Sequence, residues 1–345
     1  MSPSSRGRKA FLGPISRGSL QLLSICALTG PTALMAQPRN PGEARGRLVQ
    51  VDSNVRLEVV DWGGVGTPLV FLAGGGNTAH VFDDFARRFM DRFHVLGITR
   101  RGFGASATQL PPRDLDTLVT DIARVLDMLS LRDVVFVGHS IAGEEMTRFA
   151  ELHPERCVGL IYIDAAYDRT GIDSLAKLQP PTPSPRIRDS DTASFASIRG
   201  LYDRLLGAHL PESEIRATTR FDEHDRFLGV TSSMEHQARL ASGPRKAIYD
   251  QVRCPALAIY AVPDSAADVV PYVDELDPDE RAQARALLRY VDAVVEDSRS
   301  KFARLPHRTV VDVHGNHYVF LQHPEEVTRP MQKFLSELLG RSSRN

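Results

Sequence analysis

The chain has 345 residues with 42% hydrophobic and 25% charged side chains, and its formal net charge at pH 7 is −1. This length and composition predict a globular protein that buries a large core. The nearly neutral charge gives no electrostatic case for a nucleic-acid partner. No internal run reaches the roughly eighteen apolar residues that a membrane span requires.

The N-terminal segment differs in composition from the rest of the chain. Basic residues between Arg6 and Arg17 precede an apolar stretch at 20–28, and small residues follow it up to Ala36. This order is typical of an export signal cut after Ala36, and a disordered tail is the alternative. We therefore place residues 1–40 outside the fold. We expect an exported protein, periplasmic or secreted, with no stable membrane insertion once the signal is removed.

Strand-like and helix-like patterns alternate after this leader. Alternating apolar and polar residues at 46–51 and 55–61 predict a hairpin. Continuous apolar runs predict strands covered on both faces, and apolar positions three and four apart predict helices. In chain order these are a strand at 68–73, a helix at 81–92, a strand at 93–99, a helix at 115–129, a strand at 134–139, a helix ending near His153 and a strand at 158–165. The alternation predicts an α/β fold: a three-layer sandwich with a mostly parallel central sheet of about eight strands, antiparallel only in the first hairpin.

The alternation stops after the strand at 158–165. Residues 178–191 are rich in Pro, Ser and Asp, and short helical patterns without strands follow them. We interpret 169–251 as a helical cap (lid) inserted into the core, which then comprises residues 41–168 and 252–345. Beyond it the patterns predict a strand at 255–261, a helix at 278–304, a strand at 309–313 and a helix at 324–339.

The strand at 134–139 leads into a motif that carries chemistry. It ends in Gly-His, Ser140 follows, and Ala142 and Gly143 come next. A buried strand, a sharp turn and a helix lift a serine hydroxyl out of a sheet and hold it at a helix N-terminus. Small residues must flank such a turn because strand and helix approach closely. The pattern G-x-S-x-A-G, slightly different from the usual G-x-S-x-G, therefore predicts Ser140 as a nucleophile.

A serine nucleophile requires a base. His317 lies in the loop after the last predicted strand, where it is placed to reach back over the sheet edge, and we predict it as that base. A surface histidine is the alternative. His314 with His317 suggests metal ligation only weakly, because no Cys or acidic ligand cluster accompanies them. We expect neither a metal nor a cofactor.

The base requires an acid that orients it. Asp264 ends the strand at 255–261, where its carboxylate is placed to accept a hydrogen bond from the imidazole and to stabilise the imidazolium. We predict Asp264 in this role. Two alternatives stay open: Asp268, which lies nearby in sequence, and Asp168, which follows the strand at 158–165.

A glycine-rich segment follows the strand at 68–73. Glycines let the backbone approach a ligand closely and turn N–H groups toward it. We predict the amides of Gly75 and Ile141 as the donors of an oxyanion hole. Neighbouring residues are predicted to contact the substrate: Gly74, Gly76, Asn77, His139 and Glu144. Phosphate binding is a weak alternative because no Lys-Ser/Thr and no G-x-G-x-x-G spacing is present, and Glu144 has a plainer account as a charge beside a helix N-terminus.

Glycine loop, serine, aspartate and histidine occur in this chain order, each after a strand. The arrangement resembles the α/β-hydrolase fold family over about residues 45–340. Residues 100–106 resemble the R-G-x-G-x-S loop of that family, and 315–317 with 324–327 resemble its G-x-H…P-E-x-V signature. Two residues depart from the pattern: Ala142 replaces the second glycine of the elbow, and Ala73 stands where the histidine of His-Gly usually precedes the glycine loop.

The resemblance implies a serine hydrolase with a Ser-His-Asp triad. Such an enzyme cleaves a carboxylic ester, or a related acyl bond, of a small to medium substrate through an acyl-enzyme. An acyltransferase, a perhydrolase or a carbon–carbon bond hydrolase would share the triad, and a non-catalytic binding module is the alternative from another class. Ser140 argues against an aspartate nucleophile. The sequence does not predict the oligomeric state.

Two cysteines, Cys157 and Cys254, each precede an apolar strand-like run. If those strands are neighbours in a parallel sheet, the thiols lie at the same edge and within reach of a disulfide, which an oxidising compartment would favour. Two small buried hydrophobic residues are an equally good interpretation.

Overall fold

The computed structural model describes residues 45–106, 114–167, 179–232 and 248–342. Its strands are β1 (Arg45–Asp52), β2 (Val55–Gly63), β3 (Thr67–Leu72), β4 (Phe93–Ile98), β5 (Val134–His139), β6 (Cys157–Ile163), β7 (Thr219–Phe221), β8 (Phe227–Val230), β9 (Ala256–Val262) and β10 (Arg308–His314). Eight of these strands form one sheet in the order β1-β2-β4-β3-β5-β6-β9-β10, and β7 pairs with β8 in a separate hairpin. The predicted leader, residues 1–40, lies outside the described residues.

The large sheet is mostly parallel, as the sequence predicts. Strand β2 runs antiparallel to both of its neighbours, β1 and β4, and the other pairs are parallel. The expectation that antiparallel pairing is confined to the first hairpin is therefore wrong. The tight turn after Asp52 fixes β2 antiparallel to β1, and the free edge of β2 then pairs with β4.

Helices cover both faces of the sheet. The α-helices of the described residues are α1 (Asp83–Ala86), α2 (Leu115–Met128), α3 (Ala142–Leu152), α4 (Phe195–Leu206), α5 (Glu212–Thr218), α6 (Ala266–Val269), α7 (Pro278–Ala303), α8 (Val319–Gln322) and α9 (Pro324–Ser342). Along β3, Leu69 and Phe71 pack into one hydrophobic cluster, whereas Val70 and Leu72 pack into another. This alternation buries both faces of the sheet and confirms the three layers. No helix of these residues combines the length and the hydropathy that a bilayer span requires.

Residues 179–232, which we call the insertion segment, lie in sequence between β6 and β9. They contain α4, α5 and the hairpin β7–β8, so the expectation of a segment without strands is wrong. Asp225 makes that hairpin possible because it adopts a positive φ of 58° in the turn. Leu201 and Ile215 of this segment join the same hydrophobic cluster as Phe320 of α8. The insertion segment therefore shares a core with the sheet.

Candidate active site

Ser140 occupies the turn between β5 and α3. Its φ is 56°, in the left-handed region that a non-glycine residue adopts only under strain. Its N–H donates to the carbonyl oxygen of Ile163 in β6 (3.2 Å), and its own carbonyl oxygen accepts from the N–H of Gly143 (3.1 Å). Ser140 is partly exposed, so this turn is open to solvent at the edge of the sheet where the parallel strands end.

The small residues around the turn have separate steric roles. A Cβ at Gly138 would lie 2.8 Å from the sulfur of Met146, and a Cβ at Gly143 would lie 2.1 Å from the carbonyl oxygen of Ala165. Glycine at 138 thus lets α3 cross β5, and glycine at 143 lets α3 approach the chain after β6. Ala142 is fully buried without such a conflict. The departure from G-x-S-x-G moves the required glycine by one residue and preserves the elbow.

His317 lies in the loop after β10 and reaches back to this elbow. Its ring packs against the ring of His139, the residue before Ser140, with 4.5 Å between the ring centroids. His317 Nδ1 donates a hydrogen bond to Oδ2 of Asp164 (2.5 Å). This bond places the imidazole proton on Nδ1 and leaves the lone pair of Nε2 to accept a proton.

Asp164 is the residue that directly follows β6, and only 5% of it is exposed. Its other oxygen, Oδ1, accepts from the N–H of Ala261 (3.1 Å) and from the hydroxyl of Tyr167. Three donors therefore satisfy this buried carboxylate, which suits a fixed negative charge beside an imidazole.

The structure does not bring the predicted acid, Asp264, to His317. Asp264 lies against His314, with Oδ1 2.7 Å from its Nδ1, and both side chains are about two-thirds exposed, at 67% and 65%. Asp268 accepts from the N–H groups of Asp264 and Ser265 and from the Ser265 hydroxyl, so it caps the start of α6. Asp168 lies outside the described residues.

Asp164 was not among the predicted site residues, because its position after an apolar run is one that Asp264 shares. It ends the apolar run of β6, and β6 is the strand beside β5: His139 pairs in register with Ile163. The residues that follow this pair, Ser140 and Asp164, are thus neighbours at one edge. Strand β9, which ends two residues before Asp264, lies one strand further from Ser140.

The glycine loop after β3 lies beside Ser140. A Cβ at Gly74 would lie 2.8 Å from Nδ1 of His139 and 3.2 Å from the Cβ of Ser140, so a larger residue here would force its neighbours to shift. Gly75 is exposed, and Gly76 turns the chain with a φ of 84°. In the described part of the chain, the N–H groups of Gly75 and Ile141 make no hydrogen bond. Both N–H groups lie at or beside the serine turn and are available to donate a hydrogen bond to a ligand.

Arg100 holds the glycine loop from behind, a role that the sequence did not predict. It is 6% exposed and pairs through Nε with Oε1 of Glu145 (2.5 Å). Its other nitrogens donate to the carbonyl oxygens of Ala73 (2.8 Å) and Gly74 (3.2 Å). Fixing these two carbonyls fixes the direction of the peptide planes that follow. The arginine of the R-G-x-G-x-S resemblance is Arg101, so that motif did not single out Arg100.

Glu214 of the insertion segment braces the same loop from the other side. It is fully buried, and its oxygens accept from the Asn77 amide (2.9 Å), the Thr78 N–H (3.1 Å) and the Thr78 hydroxyl. Burial raises its pKa to about 7, against the opposing effect of these hydrogen bonds. Asn77 also accepts from the hydroxyl of Tyr318 (3.1 Å), the residue after His317. Glu214 thus links the insertion segment to the glycine loop and, through Asn77, to the loop between β10 and α8 (residues 315–318), which we call the histidine loop.

A second set of bonds ties the histidine loop to the insertion segment. Asn316 donates to the carbonyl oxygens of Leu206 (2.7 Å) and Gly207 (3.2 Å) at the end of α4. Gln322 donates to the same oxygen of Gly207 (2.8 Å) and accepts from the N–H of Asn316 (2.8 Å). The residue directly before His317 is therefore fastened to the insertion segment.

Three of the side chains predicted to contact the substrate are buried: those of Asn77, His139 and Glu144. The amide group of Asn77 is engaged by Glu214 and Tyr318. His139 is 1% exposed, and its Nε2 donates to the backbone oxygen of His317 (2.8 Å). Glu144 is 3% exposed in the first turn of α3. Burial places these side chains behind the accessible surface, whereas Gly74 and Gly76 stay on the loop beside Ser140.

His139 is uncharged in this setting. Burial, and then the nearby His317, holds the pKa of its imidazole well below the usual value. With its proton on Nε2, the buried Nδ1 faces Gly74: a Cβ at that residue would lie 2.8 Å from it. Within residues 45–106, 114–167, 179–232 and 248–342, no three His, Cys, Asp or Glu side chains are grouped as metal ligands.

Comparison with known proteins assigns this fold. A family model described as "alpha/beta hydrolase fold" matches residues 67–324. The chain belongs to the alpha/beta hydrolase fold family. The resemblance found in the sequence is thus confirmed. The solved structure of an E-2-(acetamidomethylene)succinate hydrolase is similar to 85% of this chain and 99% of its own, with a TM-score of 0.58 and 19% identity, which supports the fold alone.

Curated relatives match over shorter stretches. A non-heme haloperoxidase of Rhodococcus erythropolis is 37% identical over 94 residues, which cover 27% of this chain and 34% of the relative. A bifunctional esterase/perhydrolase of Acinetobacter calcoaceticus is 30% identical over 110 residues, 31% of this chain and 39% of the relative. The chain thus spans less than half the length of the curated relatives that it matches.

Proposed function

We propose that this enzyme is a serine hydrolase that cleaves carboxylic esters, or related acyl bonds, of small to medium substrates. Ser140 is the nucleophile, His317 the base and Asp164 the acid that orients it. The amides of Gly75 and Ile141 bind the oxyanion. The observation that carries the proposal is the bond from His317 Nδ1 to the buried Asp164, made by an imidazole that packs against the residue before Ser140.

In this mechanism His317 Nε2 takes the proton from the Ser140 hydroxyl as its oxygen attacks the acyl carbon. The carbonyl electrons move to oxygen, where the two N–H groups stabilise the negative charge. Asp164 stabilises the imidazolium, which then protonates the leaving alcohol. Water attacks the acyl-enzyme with His317 as base, and the acid product and the free serine result. The groups that hold the loops, Arg100 and Glu214, keep the donors in place without touching the substrate.

The direct test is Ser140→Ala with a short p-nitrophenyl ester. The rate should fall by a factor on the order of 10⁶ while the circular dichroism spectrum is unchanged. Ser265→Ala is the matched control, since Ser265 lies after β9 at the same sheet edge and, among the described residues, its side chain bonds to Asp268. A fluorophosphonate probe should label the wild type and the control but not Ser140→Ala. Equal labelling of all three would refute Ser140 as the nucleophile.

Perhydrolysis is a second candidate, favoured by the relative with esterase and perhydrolase activity. Here hydrogen peroxide replaces water as the nucleophile that attacks the acyl-enzyme, and a peracid and the free serine result. Acetate, hydrogen peroxide and bromide should then give bromide oxidation that disappears in Ser140→Ala. A wild type without this oxidation but with ester cleavage would leave hydrolysis as the activity.

We further propose that the protein is exported and that 169–251 acts as a cap over the site. The basic and apolar leader supports export, and the bonds from Glu214 and to Leu206 support the cap. Deletion of residues 2–36 should retain the protein in the cytosol, whereas the intact chain should fractionate outside it. The same location for both chains would contradict the export signal.

A further inference from the structure

Two thiols meet at the edge of the sheet opposite the serine turn. Cys157 is the first residue of β6, and Cys254 lies two residues before β9. These strands are parallel neighbours, with Leu160 opposite Ala256. The sulfur atoms are 3.5 Å apart although the residues are 97 positions apart in sequence, and both cysteines are free thiols in the structure. Two sulfurs in contact need only a small side-chain adjustment to bond.

The surroundings of the two thiols differ. Cys157 is 4% exposed, and burial raises the pKa of its thiol well above the usual value. Cys254 is partly exposed, and the hydrogen bond with Cys157 and then the charge of Arg308 lower its pKa. Cys254 is therefore the thiol that ionises first and that a reagent reaches first.

Arg308 fixes the chain around Cys254. From the start of β10, its guanidinium donates to the carbonyl oxygens of Cys254 (3.0 Å), Val252 (2.6 Å) and Tyr249 (3.1 Å). These bonds hold the stretch by which the chain re-enters the sheet after the insertion segment. The Cys254 side chain is thus held on a fixed backbone beside Cys157.

We propose that Cys157 and Cys254 are the site of an intramolecular disulfide that fastens β6 to the chain entering β9. A small-molecule disulfide such as oxidised glutathione is the oxidant. The Cys254 thiolate attacks one sulfur of that disulfide and releases one glutathione thiolate. The Cys157 thiol, after losing its proton, attacks the Cys254 sulfur of the mixed disulfide and releases the second glutathione. Two protein thiols are oxidised, and one glutathione disulfide is reduced to two thiols.

This bond would stabilise the fold without entering the reaction. It closes a loop that contains β6 and the whole insertion segment, and long closed loops lower the entropy of the unfolded chain most. It lies where β6 begins, whereas Ser140 and Asp164 lie where β5 and β6 end. Oxidation should therefore raise the melting temperature and leave ester turnover unchanged.

The experiment uses the full chain with Cys26→Ser, so that only these two thiols remain. After incubation in oxidised glutathione, the protein should be two hydrogen atoms lighter, resist alkylation and yield one linked peptide pair. The Cys157→Ser variant should stop at a glutathione adduct on Cys254. The Cys254→Ser variant should stay unmodified, because the buried Cys157 is not reached. Two alkylatable thiols, a stable adduct in the parent chain, or linked dimers alone would overturn the proposal.

The melting temperature tests whether the disulfide stabilises the fold. The oxidised parent should melt about 5–10 °C above its reduced form. Neither single serine variant should melt higher in oxidising than in reducing buffer, because neither can form the bond. A linked peptide pair with no rise in the melting temperature would overturn the stabilising role. Loss of ester turnover in Ser140→Ala has no bearing on either result, so this site stands or falls independently of the proposed function.

Discussion

His314 ends β10 and His317 follows it three residues later, and each contacts an aspartate, yet the surroundings of the two histidine–aspartate pairs differ. The pair His317–Asp164 has 46% and 7% exposed side chains, and Asp164 accepts two further hydrogen bonds. The pair His314–Asp264 has 65% and 67% exposed side chains. Their N–O distances, 2.5 and 2.7 Å, are similar. Distance alone thus does not identify an oriented imidazole; the burial and the other partners of the carboxylate do.

The largest effect is expected when the carboxylate of each pair is replaced by an amide, one pair at a time. In Asp164→Asn the amide nitrogen can donate to Nδ1, which moves the imidazole proton to Nε2, where it blocks proton transfer from Ser140. We expect kcat to fall by about 10³–10⁴-fold. Asp264→Asn should change kcat less than about twofold, since a solvated pair contributes little. Initial rates with the p-nitrophenyl ester measure both.

A reversed result would break the comparison. If Asp264→Asn lost the activity and Asp164→Asn kept it, the exposed carboxylate would be the acid, as the sequence suggested. Circular dichroism and melting temperature of both variants establish that each is folded. Comparable losses in folded variants would show that neither pair orients the base alone.

Local patterns in the sequence predicted part of the candidate site, whereas contacts between distant residues determine the rest. The sheet, the elbow at Ser140 and the loop of His317 were predicted because strand periodicity and turn chemistry are local. The carboxylate that contacts His317 was missed because it depends on which strands are neighbours: β6 lies beside β5, and no local pattern distinguishes Asp164 from Asp264. The partners of Asn77 and Arg100 were missed for the same reason, since Glu214 lies 137 positions from Asn77. The hairpin in the insertion segment is too short to give a periodic signal.

Glu214 is another buried carboxylate, and its burial makes the free energy of unfolding depend on pH. The folded-state pKa of Glu214 is about 7, raised by burial above the ordinary value of 4.5. The stabilisation from its protonated form is complete below that ordinary pKa and is lost as pH rises through about 7. The free energy of unfolding of the wild type relative to Glu214→Gln should therefore fall by about 2–3 kcal/mol from pH 5 to pH 8. Urea unfolding at both pH values measures it.

Glu212→Gln is the matched control for that measurement. Glu212 lies on the same helix, α5, and its side chain is 51% exposed. Its substitution should leave the pH dependence of the wild type unchanged. The same pH dependence in wild type and Glu214→Gln would contradict a neutral, buried carboxyl at this position.

A smaller effect on kcat is expected from His139, whose ring packs against that of His317. His139 donates from Nε2 to the backbone oxygen of His317 and packs against its ring. His139→Phe keeps an aromatic ring but removes the donor, so we expect kcat to fall by about tenfold with little change in KM. His153→Phe, a ring that packs on Phe149, should change neither. An altered KM with unchanged kcat would place His139 in binding rather than in orientation of the base.

The smallest expected effect concerns the exposed pair itself. His314 and Asp264 are in contact, but water solvates both, and fixing two side chains offsets much of their attraction. A double-mutant cycle with His314→Gln and Asp264→Asn should give a coupling free energy of about 0.5 kcal/mol or less, and added salt should reduce it further. A coupling that exceeded about 1 kcal/mol and persisted in high salt would mean that solvent exposure does not weaken this pair. Burial would then no longer explain why two contacts of similar length differ, and the choice of Asp164 would depend on activity measurements alone.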